Sequence, residues 1–182
     1  MKIFGVDHRP WPTNLKWLAL ACGAMLLISL MIHQYLVTPS AAPQGLISYE
    51  LAGDSEAAAQ VRARMAEGGF NWPQFSLYFD FPFIALYALF LLKLTRHLLK
   101  DRPGVREQQV GKVAKGMFVL GAGGDAAENV LLLSAIAHPD STTLPMAAVF
   151  ATLVKLTGLL MGAGFLLFVR AARRHPLHAD EH

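Results

Sequence analysis

Asp80, Asp125, Glu128, Asn129 and Lys155 are the residues of this 182-residue chain best placed to do chemistry, because each interrupts a long apolar run. Carboxylates held away from water exchange protons or bind cations, and a buried ammonium serves as a counter-ion or steadies a developing oxyanion. The densest of these stretches is Gly121-Ala122-Gly123-Gly124-Asp125-Ala126-Ala127-Glu128-Asn129. Spacings of three (Asp125 to Glu128) and four (Asp125 to Asn129) put all three polar side chains on one face of a helix, with Gly121 and Gly124 a turn earlier. A carboxylate turned toward lipid costs about 3 kcal/mol on insertion scales. That face is therefore expected to meet protein, water or a ligand.

The elements that must carry these residues are membrane helices. With 54% hydrophobic residues, 16% charged residues and a mean hydropathy of +0.38, the chain is too apolar for an ordinary soluble domain. Apolar runs at 17–37, 73–92, 116–137 and 145–169 are each long enough to cross a bilayer as a helix. The expected fold is an all-α membrane protein, a four-helix bundle forming one domain over 1–172 with a disordered tail at 173–182. Residues Pro39 to Ala42 resemble a signal-peptidase site, but the first apolar run is longer than a usual signal core and reads as a retained span.

Loop charge sets the expected orientation. Lys2, Arg9 and Lys16 precede the first span, while Lys93, Arg96, Lys100, Arg102, Arg106, Lys112 and Lys115 crowd the 93–115 loop against Asp101 and Glu107. Arg170, Arg173 and Arg174 follow the fourth span, and the 38–71 loop is acidic with Glu50, Asp54, Glu56 and Glu67. By the positive-inside rule both termini and the 93–115 loop are cytoplasmic, in a cell's inner (plasma) membrane. Asp54 or Ser55 can cap a helix in the outer loop that ends at Gly68-Gly69, a cap over the bundle mouth or a segment packed at the interface.

Counting about 1.5 Å of rise per residue from the outer helix ends puts Asp80 and Asn129 roughly 12 Å deep, Glu128 about 14 Å, Lys155 about 15 Å and Asp125 nearer 18 Å. The five polar groups then share one layer. His33, Ser29, Tyr78, Tyr87 and Glu50 are peripheral candidates, and Pro82 is expected to free the Tyr78 carbonyl one turn from Asp80. Three carboxylates and one ammonium cannot all be charged in a low-dielectric site without another cation. Lys155 is expected to pair with Glu128 or Asp125, and a second acid to be protonated or cation-bound.

Cys22 is the only cysteine, which excludes an intrachain disulfide and disulfide-exchange chemistry. No HExxH occurs and the HxxH of His175 and His178 lies in the tail beyond the fourth span, so no metal is assigned, and the sequence names no cofactor. The expected partners are membrane lipids and a partner subunit or second copy of the chain. The basic loop lacks interleaved aromatics and any nucleic-acid-binding motif, so no nucleic acid is expected. Three functions fit the cluster: a binding or assembly module whose ion pairs also take a small ligand or cation, a proton- or cation-coupled transporter, and an intramembrane enzyme using acid/base chemistry on a lipid or quinone-like substrate.

Overall fold

A computed structural model describes residues 10–36, 63, 72–100, 104–138 and 140–171. Four helices account for nearly all of them: α1 Thr13–Leu36, α2 Trp72–Leu99, α3 Val105–Ala137 and α4 Thr143–Ala171. Each is long and apolar enough to cross a membrane, and there is no strand among the described residues. The expected loop helix and lid over 38–71, like the tail at 173–182, lie outside the described residues apart from Ala63.

The helices pack largely in chain order. α3 and α4 share the most extensive interface, α2 lies against α3, and α1 lies chiefly against α2. α2 and α4 meet only narrowly. Trp11, just ahead of α1, tilts against Phe90 of α2 with ring centroids 6.2 Å apart. Most of α1's large side chains are exposed, including Trp17, Leu20, Leu27 and Met31, as expected of a helix whose outer surface is solvated by lipid tails.

Small residues explain why α3 and α4 come so close. A methyl group on Gly158 would sit 2.5 Å from the Gly121 nitrogen and 2.7 Å from the Met117 carbonyl oxygen. One on Gly162 would sit 2.6 Å from the Phe118 ring, and one on Gly124 would sit 2.7 Å from the Lys155 nitrogen. With no hydrophobic drive between helices in lipid, this backbone-to-backbone approach gains dispersion contact that larger residues would prevent. The Gly158/Gly162 spacing is thus used inside the chain, against α3.

The basic stretch at 93–115 is largely helical, as the amphipathic spacing of Lys93, Arg96 and Lys100 after the second apolar run suits, and α3 starts earlier than the apolar run at 116. α2 runs on to Leu99 and α3 begins at Val105, well ahead of Gly116. Two contacts close this hairpin: the Gln108 amide donates to the Leu99 carbonyl at 3.3 Å, and Leu99 packs directly on Gly111. Buried Ala114 and Phe118 continue the same face of α3 inward, so a helix whose hydropathy is diluted by Lys112 and Lys115 still has a packed side. At the opposite end Ser141 accepts from the Leu144 amide at 3.4 Å as α4 starts. Buried hydroxyls of Thr95 and Thr152 return to carbonyls four residues back, Leu91 at 2.7 Å and Ala148 at 3.0 Å, which satisfies them within their own helix.

Candidate functional site

The glycine contacts between α3 and α4 fix where the charges meet. Because Gly124 has no side chain, the α4 backbone at Ala151 and Lys155 rests on α3, and the lysine stem starts beside the acid-bearing turn. From there its ammonium reaches Asp125 Oδ1 at 3.0 Å and Glu128 Oε2 at 2.7 Å. One cation of α4 is therefore shared by two acids of α3. Of the two alternatives, Glu128 or Asp125, the structure takes both.

The cluster is shielded unevenly. The Glu128 side chain is 0% exposed and that of Asp125 8%, whereas Lys155 retains 17%. Asn129 is also fully buried. Glu128 Oε1 has no hydrogen-bond partner among the described residues. Leaving a polar atom buried and unmatched costs about 1–3 kcal/mol, more for a charged group, so this atom is the most conspicuous polar vacancy in the cluster's chemistry.

α2 supplies the other wall. The Tyr87 hydroxyl donates to Asp125 Oδ2 at 2.7 Å, so both oxygens of Asp125 are engaged, one by Lys155 and the other by the phenol. An edge contact with Phe83, one turn away, holds the Tyr87 ring at a centroid distance of 5.4 Å and 70° between planes. The Asn129 amide donates to Asp80 Oδ2 at 3.1 Å. Asp80 is thus met by a neutral amide, while it still lies within electrostatic range of Asp125, Glu128 and Lys155. Asp80, Asp125, Glu128, Asn129 and Lys155, predicted from their depths to share a layer, stand in two adjoining sets of contacts over α2, α3 and α4: Lys155 with Asp125 and Glu128, and Asn129 with Asp80.

The peripheral candidates divide. Tyr87 belongs inside the network, as a direct partner of Asp125. Tyr78 is 56% exposed, because the α2 face that carries Asp80 and Tyr87 is not the one that carries Tyr78. Ser29 is half-buried on α1, the helix without a substantial interface to α3 or α4. The side chain of His33 and all of Glu50 lie outside the described residues. α2 continues through Pro82 to Leu99 without a break. Among the described residues no three His, Cys, Asp or Glu side chains gather as metal ligands would.

Chemically, the network offers a fixed ammonium, two carboxylates sharing it, a third carboxylate held by an amide, and a phenol donor. It can store a proton, hold a small cation on carboxylate oxygens, or lock three helices together. No protein-family profile, no curated protein and no solved structure matches the chain.

Proposed function

We propose that this protein is a membrane-embedded binding module in which the Asp125–Lys155–Glu128 network, while locking α3 to α4, holds one proton or small cation at Glu128. The observation that carries this reading is the completely buried Glu128 carboxylate, whose Oε1 has no hydrogen-bond partner among the described residues. Lys155 neutralises one of the two acids that it touches. The remaining negative charge in a low-dielectric setting calls for a proton or a cation, since an uncompensated buried charge is far costlier than a paired one. Carboxylate and amide oxygens suit a hard cation better than a soft one.

The test is linkage. Anything that binds the folded state alone raises its stability with concentration, so the purified protein in mild detergent is unfolded across a series of Na⁺, K⁺ and Ca²⁺ concentrations at fixed pH, and across pH at fixed salt. The expected result is stabilisation by one cation, or by acid if the occupant is a proton, that disappears in Glu128→Gln. A stability equally insensitive to cations and pH in parent and Glu128→Gln sinks the proposal and leaves only a structural lock. Reconstitution into liposomes then asks whether the occupant crosses the membrane: cation or proton flux that Glu128→Gln abolishes would make the module a carrier.

A further inference from the structure

The two acids that share Lys155 are not equivalent. The ammonium meets each through one oxygen, Asp125 Oδ1 at 3.0 Å and Glu128 Oε2 at 2.7 Å, so it hardly separates them. Their second oxygens differ. Asp125 Oδ2 accepts the Tyr87 hydroxyl at 2.7 Å, whereas Glu128 Oε1 has no hydrogen-bond partner among the described residues. A hydrogen bond donated to a carboxylate favours its charged form, and burial without one disfavours it. The Glu128 side chain is also the more deeply buried of the two, 0% exposed against 8% for Asp125. Both differences leave the negative charge on Asp125 and the need for an occupant on Glu128.

The donor that makes this difference comes from a third helix. Both acids belong to α3 and Lys155 to α4, while Tyr87 stands on α2, where the edge contact with Phe83 holds its ring. Asp80, the other ionisable group that α2 brings to the cluster, accepts from the Asn129 amide instead. Among the described residues, the ionisable groups that face the pair are thus Lys155 from α4 and Tyr87 and Asp80 from α2. α1 packs chiefly on α2.

We propose that Tyr87 is the positioning residue of this site: its phenol directs the proton or small cation to Glu128 rather than Asp125, and so makes the place of the occupant depend on how α2 is seated against α3. The inference rests on the reading of the pair as a binding site for one proton or cation. Without the phenol, each acid keeps one oxygen on Lys155 and one unmatched, and the occupant divides between them. A side-chain hydrogen bond inside a membrane protein is worth about 1 kcal/mol, which is about fivefold in the ratio of the two sites.

Infrared difference spectra of the full chain in mild detergent, occupied minus emptied, identify the acid that receives the occupant. The probe is added Na⁺, K⁺ or Ca²⁺, or a pH step kept well above about 4, the ordinary carboxyl range. Separate preparations carry a heavy carbon isotope in the side-chain carboxyl of Glu or of Asp, so the parent reports its own site without any substitution there. In the parent the difference bands should move with labelled Glu and not with labelled Asp. In Tyr87→Phe, which keeps the ring and its contact with Phe83, the ratio should shift about fivefold toward Asp, a change that lost stability alone would not produce. The same shift should persist in an Asp80→Asn background, which assigns it to Asp125. Bands that answer only to labelled Glu in both parent and Tyr87→Phe overturn the proposal and leave the binding reading standing. Bands that answer to labelled Asp in the parent, or a shift that vanishes with Asp80→Asn, overturn it as well. A parent with no difference bands, and no cation or pH linkage of its stability, defeats the binding reading and this proposal with it.

Discussion

Replacing Lys155 by methionine isolates the electrostatic centre of the protein. The methionine keeps much of the apolar stem's volume and removes the ammonium that stands 3.0 Å from Asp125 and 2.7 Å from Glu128. Two routes give the size of the effect. Removing one partner of a buried ion pair costs about 3–5 kcal/mol, because the other charge is left uncompensated. Alternatively the variant neutralises the stranded carboxyl with a proton, which at pH 7 costs about 4 kcal/mol for an acid whose unfolded-state pKa is near 4.3, at about 1.4 kcal/mol per unit. Both converge on a loss of about 4 kcal/mol. The assay is denaturant unfolding in mild-detergent micelles, monitored by helical circular dichroism, for the parent, Lys155→Met, Glu128→Gln and the double variant. The double variant should recover most of the loss, since one acid has gone with its counter-ion, giving a coupling energy of about 2–3 kcal/mol, the upper part of the range for contacting residues. The pH dependence has a definite sign. If native Lys155→Met holds one proton more than its unfolded chain, its stability falls as pH rises, by about 1.4 kcal/mol per unit, so its deficit shrinks on acidification. A Lys155→Met protein within about 1 kcal/mol of the parent at pH 7, or strict additivity in the double variant, would refute the reasoning from burial and pairing.

Three further outcomes test the packing around that centre. Gly124→Ala should destabilise by about 1–3 kcal/mol through overpacking, since its methyl would lie 2.7 Å from the Lys155 nitrogen, whereas Gly123→Ala, with nothing within 4 Å, should be neutral or slightly stabilising in the same unfolding assay. Tyr87→Phe retains the edge contact with Phe83 and removes the donor to Asp125; a loss of about 1 kcal/mol is expected, given the modest worth of hydrogen bonds inside membrane proteins, and a loss above 3 kcal/mol would mean that the phenol does more than donate. Asn129→Ala and Asp80→Ala should be non-additive, because each removes the partner of the other; additive losses would show that the 3.1 Å bond contributes nothing.

Much of this was legible before any coordinates. Four apolar runs, and the helical spacing of Asp125, Glu128 and Asn129, follow from period and composition, because a bilayer demands long apolar helices and a helix repeats every 3.6 residues. Counting depth along each run was enough to put Asp80, Asn129, Glu128, Lys155 and Asp125 in a common layer, since helical rise is constant whatever the helices pack against. The helical turns at Val105 and beyond were hidden by their lysines: hydropathy averages over a window, while the buried face there consists only of Gly111, Ala114 and Phe118.

What the tertiary structure decided is who touches whom. Helical spacing puts Tyr87, seven residues on, on the face of Asp80 and leaves Tyr78 off it, but only the packing of α2 on α3 brings that face to Asp125. The same holds for Lys155, whose sharing between two acids depends on Gly124 admitting the α4 backbone at that point. Residue types and spacing determined that this protein carries a layer of ionisable groups within helices long and apolar enough to cross a membrane. The contact between two helix backbones, which no single helix encodes, decided how that charge is paired.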